Sequence, residues 1–368
     1  MYKQPKLLSY RFSKRNPLNS FRKSKLAREE INAKTGSHDS CPGCGTTGAS
    51  LISEVDRVGF PCNTVVCNQC DLVFNDSFIS EPVEYYESTF GKLRWKNPED
   101  NFLNRIAPEA YTWKRFAYVS SALGKNFRTI QSVMEVGCGD GCNLYPYHLI
   151  GLNVKGFDYS EEFLEVGRKR GMSLIKGDFS SSKQQFDLIL LVHSLEHMLD
   201  LDKVVRNVHN LLKDKGFVYV EVPGLRNWNR KQADSKNIGR LTSSNNFLTY
   251  LQFQHNYHFD LNHLMEFWQR NGFKMIQGDE WVRALFRKGK VENNINRKND
   301  ILSYLKSVEK DFLSPGNISK KNCQKNSENL IMFSRNSTCI MSLRSNNLFS
   351  NKNIFFGPIR CHSNHYVS

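Results

Sequence analysis

An apolar run at Ser132–Val136 stops at three alternating glycines, Gly137, Gly139 and Gly141, and then passes into a stretch with helical character near 141–150. Alternating glycines let a backbone turn sharply and approach a ligand closely. A strand, a glycine turn and a helix, in that order, form the first half of a nucleotide-type βαβ unit. Asp158, twenty-one residues beyond Gly137, ends a second apolar run at 154–157. A carboxylate there accepts hydrogen bonds from both hydroxyls of a ribose. These two features constrain the chain to an open α/β sheet with a nucleoside-bearing ligand at one edge.

The surrounding pattern agrees. Apolar runs at Ser132–Val136, 154–157, 174–176, Phe186–Val192 and 217–222 read as five buried strands. Segments near 141–150, 160–170, 200–212 and 261–271 read as helices between them. Two further runs, 273–277 and 281–286, are separated only by Gly278-Asp279-Glu280, which is hairpin spacing. The expected fold is a parallel sheet finished by an antiparallel pair.

A nicotinamide-binding loop reads GxGxxG, and its third glycine permits tight helix packing. This chain reads GxGxG, with Glu135 two positions before the first glycine. Residues Val133 to Gly141 and Asp158 resemble motif I and its successor in the class I S-adenosylmethionine-dependent methyltransferases. The resemblance continues through Gly177-Asp178-Phe179, through Phe186–Val192 with the following His193-Ser194-Leu195-Glu196-His197, and through the run from Phe217 to Pro223. It implies a Rossmann-like sheet over 131–288. It also implies an S-adenosylmethionine pocket lined by Glu135, Gly137, Gly139, Asp158, Asp178, Phe179 and His193. Asp178 fits a turn or helix cap as well.

Ahead of this region stand two CxxC knuckles, Cys41/Cys44 and Cys67/Cys70, with 22 residues between them. Each knuckle presents two thiolates on one side, and four thiolates make a closed, structural zinc site. The stretch 51–67 can form the hairpin that brings the knuckles together. Cys62 is a spare thiol, either buried or a substitute ligand. The run from Val65 to Phe74, followed by Tyr85-Tyr86, resembles the N-terminal zinc-binding domain of methyltransferases that often modify sugars or sugar nucleotides. The expected organisation is a basic arm at 1–38, a zinc-ribbon-like module at 39–76 and a helical connector at 77–130. The catalytic domain at 131–288 and an Asn/Ser/Lys-rich tail at 289–368 follow. The tail has one last helix at 301–312 and a disordered end.

Methyl transfer to a hydroxyl is helped by a group that removes the proton. His193 and His197 follow the fourth strand, where ligands of open parallel sheets bind, and His255 and His258 lie further on. In the related sugar C-methyltransferases a Tyr and a Glu precede the corresponding His. Aligning His255 with that His puts Gln252 and Gln254 in those places, so O-methylation is expected rather than C-methylation. His255 is the expected general base and His193 the second candidate. Arg226, Arg230 or Arg240 are candidates for holding an acidic group on the acceptor.

Fifty-one Lys and Arg against 36 Asp and Glu give a formal net charge of +15, concentrated in part in the first 37 residues. Such a balance keeps an RNA methyltransferase with a zinc ribbon as an alternative. Against it, His193-Ser194-Leu195 stands where base amino-methylases carry an Asn/Asp-Pro-Pro-aromatic run. A non-catalytic cofactor-binding module is the other alternative. No apolar run reaches the roughly 18 residues of a membrane span. CxxC pairs without an apolar leader point to reduced thiols in the cytoplasm.

Overall fold

The computed structural model describes residues 35–56, 61–81, 83–84, 97–227, 247–289 and 300–313. Most of the basic arm, Tyr85-Tyr86, Arg230, Arg240 and the tail from 314 onward lie outside these described residues.

The centre is a seven-stranded sheet. β6 (Ser132–Val136) is buried along its whole length, and β9 (Phe186–Val192) nearly so. Continuous apolar strands of this kind need helices on both faces. β7 (Asn153–Asp158) and β8 (Ser173–Lys176) extend the sheet in parallel on one side of β6. β9 and β10 (Leu212–Glu221) extend it in parallel on the other. The hairpin of β12 (Phe273–Asp279) and β13 (Arg283–Lys288) closes that side antiparallel to β10. The order is therefore β12-β13-β10-β9-β6-β7-β8, the expected fold class. Between β6 and β9 the chain reverses its direction of winding, and open α/β sheets bind ligands at such a switch point.

Six helices accompany the sheet: α1 (Pro98–Ile106), α2 (Tyr111–Leu123), α3 (Tyr145–Leu149), α4 (Glu161–Arg168), α5 (Leu201–Leu211) and α6 (Leu261–Arg270). Two of them start at aspartate caps. Asp200 accepts from Lys203 N and Asp260 from His263 N, each satisfying an orphan amide of the first turn. α3 is shorter than the expected 141–150. The left-handed Gly141 and the following turn occupy the first residues, and Pro146, without an N–H, suits only a first helical turn. Phe102, Val119 and Leu123 of α1 and α2 pack with Tyr147, Leu164 and Leu188 on one face; Val204, Val208, Phe267 and Trp268 of α5 and α6 pack with Ile189 and Val220 on the other.

The cysteine region folds as β2 (Ala49–Val55), β3 (Pro61–Cys67) and β4 (Val73–Asn75), paired antiparallel, with β1 (Thr35–Ser37) against β5 (Ser77–Ile79). The hairpin between the knuckles forms as the sequence implies. The surprise is a fourth strand, β11 (Tyr257–His258), which comes from the other end of the chain and pairs with β4. Leu72 and Phe74 belong to the same buried cluster as Val222, Tyr257 and Trp268. Each such side chain contributes about 1.5–3 kcal/mol on burial, so this region is welded to the sheet. α7 (Ile301–Leu313) covers its outer side, with Ile301 and Leu305 buried beside Ile52, Val66 and Val73. Among the described residues no helix is long and apolar enough to cross a membrane.

Candidate active site

The glycine loop leaves β6 at the switch point. Gly137, Gly139 and Gly141 take φ of 69°, 53° and 76°, values that L side chains rarely adopt. A methyl on Gly137 would lie 2.9 Å from Ser194 Cβ, so the loop lies directly against the segment that follows β9. Asp158, at the tip of β7, braces the loop: Oδ2 accepts from Gly139 N and Oδ1 from Ser160 N, both at 2.9 Å. Burial pushes its carboxyl up, and these amides oppose the shift. Glu135 is fully enclosed; Asn143 Nδ2 donates to its Oε1 at 2.7 Å while Oε2 has no protein partner. Burial raises Glu135 to about 8. An orphaned buried carboxylate oxygen beside an open glycine loop suits a polar, cation-bearing ligand. Asp178 caps the turn after β8 through Ser180 N at 2.7 Å, and Phe179 is buried behind it.

Across the switch point His193 follows β9 in a left-handed conformation, φ 53°. Its backbone N donates to Glu221 O at 2.8 Å. Its ring lies between two carboxylates, Nε2 3.4 Å from Glu221 and Nδ1 3.6 Å from Glu196. Burial works against its charge, but the two carboxylates outweigh it and raise His193 to about 8. Glu221 is clamped by Arg115 Nε at 2.7 Å and Nη2 at 2.8 Å, and by Tyr219 OH at 2.8 Å. Burial opposes its ionisation, yet His193 and Arg115 hold it well below the usual carboxylate range.

His255 sits in a different part of the site. It is buried, its ring 4.9 Å edge-on from His197 and 6.0 Å from His258. His197 donates Nδ1–H to Gln254 O at 2.8 Å. Glu196 joins the two histidine groups: it faces His193, its Oε1 is 3.9 Å from His197 Nε2, and neither of its oxygens accepts a hydrogen bond. Donor atoms of Glu196, His197 and His255 lie within 4.8 Å of one another, a set that first-row divalent metals accept. His258 is fully buried and pushed down to about 3 by burial alone, so it is neutral. Arg226 is committed within the fold, to Asp260 Oδ2 at 2.9 Å and to Asp300. The structure thus gives it a structural partner in place of an acceptor.

The four knuckle thiols converge. Cys41 Sγ is 3.6 Å from Cys70 Sγ, and Cys44 Sγ is 3.5 Å from Cys67 Sγ. Zinc–thiolate bonds of about 2.3 Å in a tetrahedron place sulfurs about 3.8 Å apart, so the set fits. Gly43 N and Cys70 N donate to Cys41 and Cys67 sulfurs, which favours thiolates. The hydrogen bond from Cys41 holds the Cys70 thiol down, while the same contact and burial push Cys41 up. Cys62 is buried apart from this group, raised by desolvation, and is no substitute ligand.

Residues 105–278 match the family model described as a methyltransferase domain. This segment of the chain is a methyltransferase domain. Its curated relatives include the ubiquinone biosynthesis O-methyltransferase of Bordetella bronchiseptica, 30% identical over 138 residues, covering 34% of this chain and 54% of that protein. The namesake from Pelagibacter ubique is 25% identical over 151 residues, covering 36% and 61%. The chain thus spans little more than half the length of these relatives. Solved structures similar to it include DesVI of Streptomyces venezuelae, at 20% identity, 35% and 58% coverage and a TM-score of 0.31. The plantazolicin methyltransferase BpumL in complex with SAH has 16% identity, 67% and 88% coverage and a TM-score of 0.40.

Several groups of the candidate site escaped the sequence reading. Arg115, Asn143, Tyr219 and Glu221 carry no motif. Glu221 ends the fifth strand, and an acidic residue closing an otherwise apolar run was the one signal that pointed to it.

Proposed function

We propose that this chain transfers a methyl group from S-adenosylmethionine to a hydroxyl of a small-molecule acceptor, of the sugar or sugar-nucleotide class. The observation that carries the reading is the switch-point geometry. A left-handed glycine loop braced by Asp158 and the half-satisfied Glu135 lies on one side, and a carboxylate–histidine cluster on the other. S-adenosylmethionine, when bound, supplies an electrophilic methyl on a sulfonium. The chain's own residues do the rest. Glu135 and Asp158 hold the cofactor's polar ends, Phe179 lines its base and Asp178 lies nearby. His193, bridging Glu196 and Glu221, fixes the wall beside the loop. Both its ring nitrogens face carboxylates, so His255 is the group assigned to take the hydroxyl proton. Alignment of the two reactants contributes most of the acceleration in such a displacement.

The hydroxyl acceptor is supported by the histidine cluster and by the relatives, which are named as O-methyltransferases. The sugar class rests on the resemblance of the cysteine segment. We further assign a structural zinc to Cys41, Cys44, Cys67 and Cys70. The cytoplasm is the proposed location, since reduced thiols suit it. The test is methyl transfer from labelled cofactor to a panel of sugars, sugar nucleotides and phenols. Transfer to a sugar hydroxyl, with kcat lowered about a hundredfold or more in His255→Ala and cofactor affinity kept, is expected. Transfer to phenols alone overturns the acceptor class, and unchanged turnover in His255→Ala removes that residue from the mechanism.

A further inference from the structure

The segment that carries His255 is irregular, and backbone groups in such a segment need partners when buried. Among the described residues, most of these partners come from one residue. Asn75, at the end of β4, is fully buried. Its Nδ2 donates to Gln252 O at 3.0 Å, to Phe253 O at 3.3 Å and to His255 O at 2.8 Å. Its backbone N donates to Asn256 O at 3.1 Å. Its Oδ1 is held in turn by Thr64 Oγ1 at 2.8 Å, with His258 Nε2 at 3.5 Å. These contacts span about half the chain, from β4 to residues 252–256.

The same strand is the direct continuation of the second cysteine knuckle. Cys67 N donates to Leu72 O at 2.9 Å, and β4 begins one residue later. β11 pairs with β4 through Tyr257 opposite Phe74 and His258 opposite Val73. A second strut runs alongside: His263 of α6 binds Cys70 O at 2.9 Å through Nε2 and Asp260 at 2.7 Å through Nδ1. A third ties Phe253 N to Asp56 Oδ2 at 3.3 Å, beyond the end of β2. Among the described residues the glycine loop makes no hydrogen bond to the cysteine region. Its braces are Asp158, Asn143 and Arg105.

We propose that Asn75 is a positioning residue which carries the geometry of the four-cysteine module to the segment holding His255. Metal loading of the knuckles then sets the acceptor wall of the site and leaves the cofactor loop untouched. The inference rests on the reading above only in calling that wall the acceptor side. The hydrogen-bond path itself stands without it.

Hydrogen exchange on the full-length, zinc-loaded chain tests it. In Asn75→Ala, amides of 252–258 should exchange faster by about tenfold or more, the worth of one lost buried hydrogen bond. Those of 136–141 should stay within about twofold, with zinc content and cofactor affinity unchanged. Asn75→Asp, which keeps the shape and the acceptor for Thr64 but loses the amide donor, should reproduce the effect. Should either variant fail to fold, the wild-type chain stripped of zinc by a chelator gives the same reading: 252–258 loosens and 136–141 does not. Unchanged exchange at 252–258 in the variants or in the stripped protein overturns the proposal, as does equal loosening of both segments. If exchange behaves as stated while His255→Ala turns over normally, the strut survives and only the role given to His255 falls.

Discussion

The two walls of the proposed site are built in opposite ways. The wall assigned to the cofactor is local: β6, the glycine loop, β7 and Asp158 lie within 27 residues of chain, from Ser132 to Asp158, and brace one another. The wall assigned to the acceptor is assembled from distant parts. Asn75 holds residues 252–256, His263 holds Cys70, and Arg115 of α2 holds Glu221 at the end of β10. A local wall is encoded by a motif and carried by backbone geometry. A distributed wall is encoded by single polar residues whose meaning appears only when the chain is folded, and each one, once removed, strands its partners.

The largest test of that difference is Arg115→Met. It leaves Glu221 buried beside His193 without its clamp and should cost about 3 kcal/mol, the range for breaking a buried pair. A fall in melting temperature measures it. A loss under about 1 kcal/mol would show that the Glu221 clamp behaves as a surface contact. Next comes Asp260→Ala, which removes the α6 cap and the partners of Arg226 and His263. A loss of about 2–3 kcal/mol with unchanged cofactor affinity is expected by denaturant titration and calorimetry. Weakened cofactor binding would erase the separation of the two walls.

Gly137→Ala probes the local wall. A methyl at φ 69° and 2.9 Å from Ser194 Cβ should cost about 1–2 kcal/mol of strain and weaken cofactor binding tenfold or more, on the order of the same energy. Gly45, at φ 74° with open space around it, serves as the control: Gly45→Ala should show the strain and leave cofactor affinity intact.

The smallest effect is a pH dependence. His193 is raised in the folded chain to about 8 from its ordinary 6.5. Its contribution to stability is therefore complete below about pH 6.5 and disappears as pH rises through about 8. Allowing for solvent at a ring a third exposed, the loss is about 1 kcal/mol. Histidine NMR on the two variants gives the sign directly. Glu221→Gln should lower the His193 pKa, and Arg115→Met should raise it. Shifts in the same direction would show general loosening instead.

Legibility in the sequence follows the same division. Ser132–Val136 and Phe186–Val192 are strands as read, because runs buried on both faces leave no polar alternation to confuse them. The glycine loop, Asp158 and the four cysteines come together as their spacing implied. The short α3 was missed because Pro146 and left-handed Gly141 act against a helical pattern that the apolar residues alone suggest. β11 was missed because two residues carry no periodicity, and its partner β4 lies some 180 positions away. Arg226 is one of three candidates in the sequence for meeting an acceptor, because its partners, Asp260 and Asp300, are separated from it by 34 and 74 residues. The sequence ranks His255 first and His193 second as general base, without a view of what surrounds either. The structure distinguishes them by surroundings, one between two carboxylates and the other among imidazoles.

The most direct test of the account is a calorimetric titration of the folded, zinc-loaded chain with S-adenosylmethionine, repeated on Asp158→Ala. The account predicts one site in the micromolar range, with affinity falling by about tenfold or more when the carboxylate is lost. Absence of binding to the wild-type chain, or equal binding to both proteins, would contradict it.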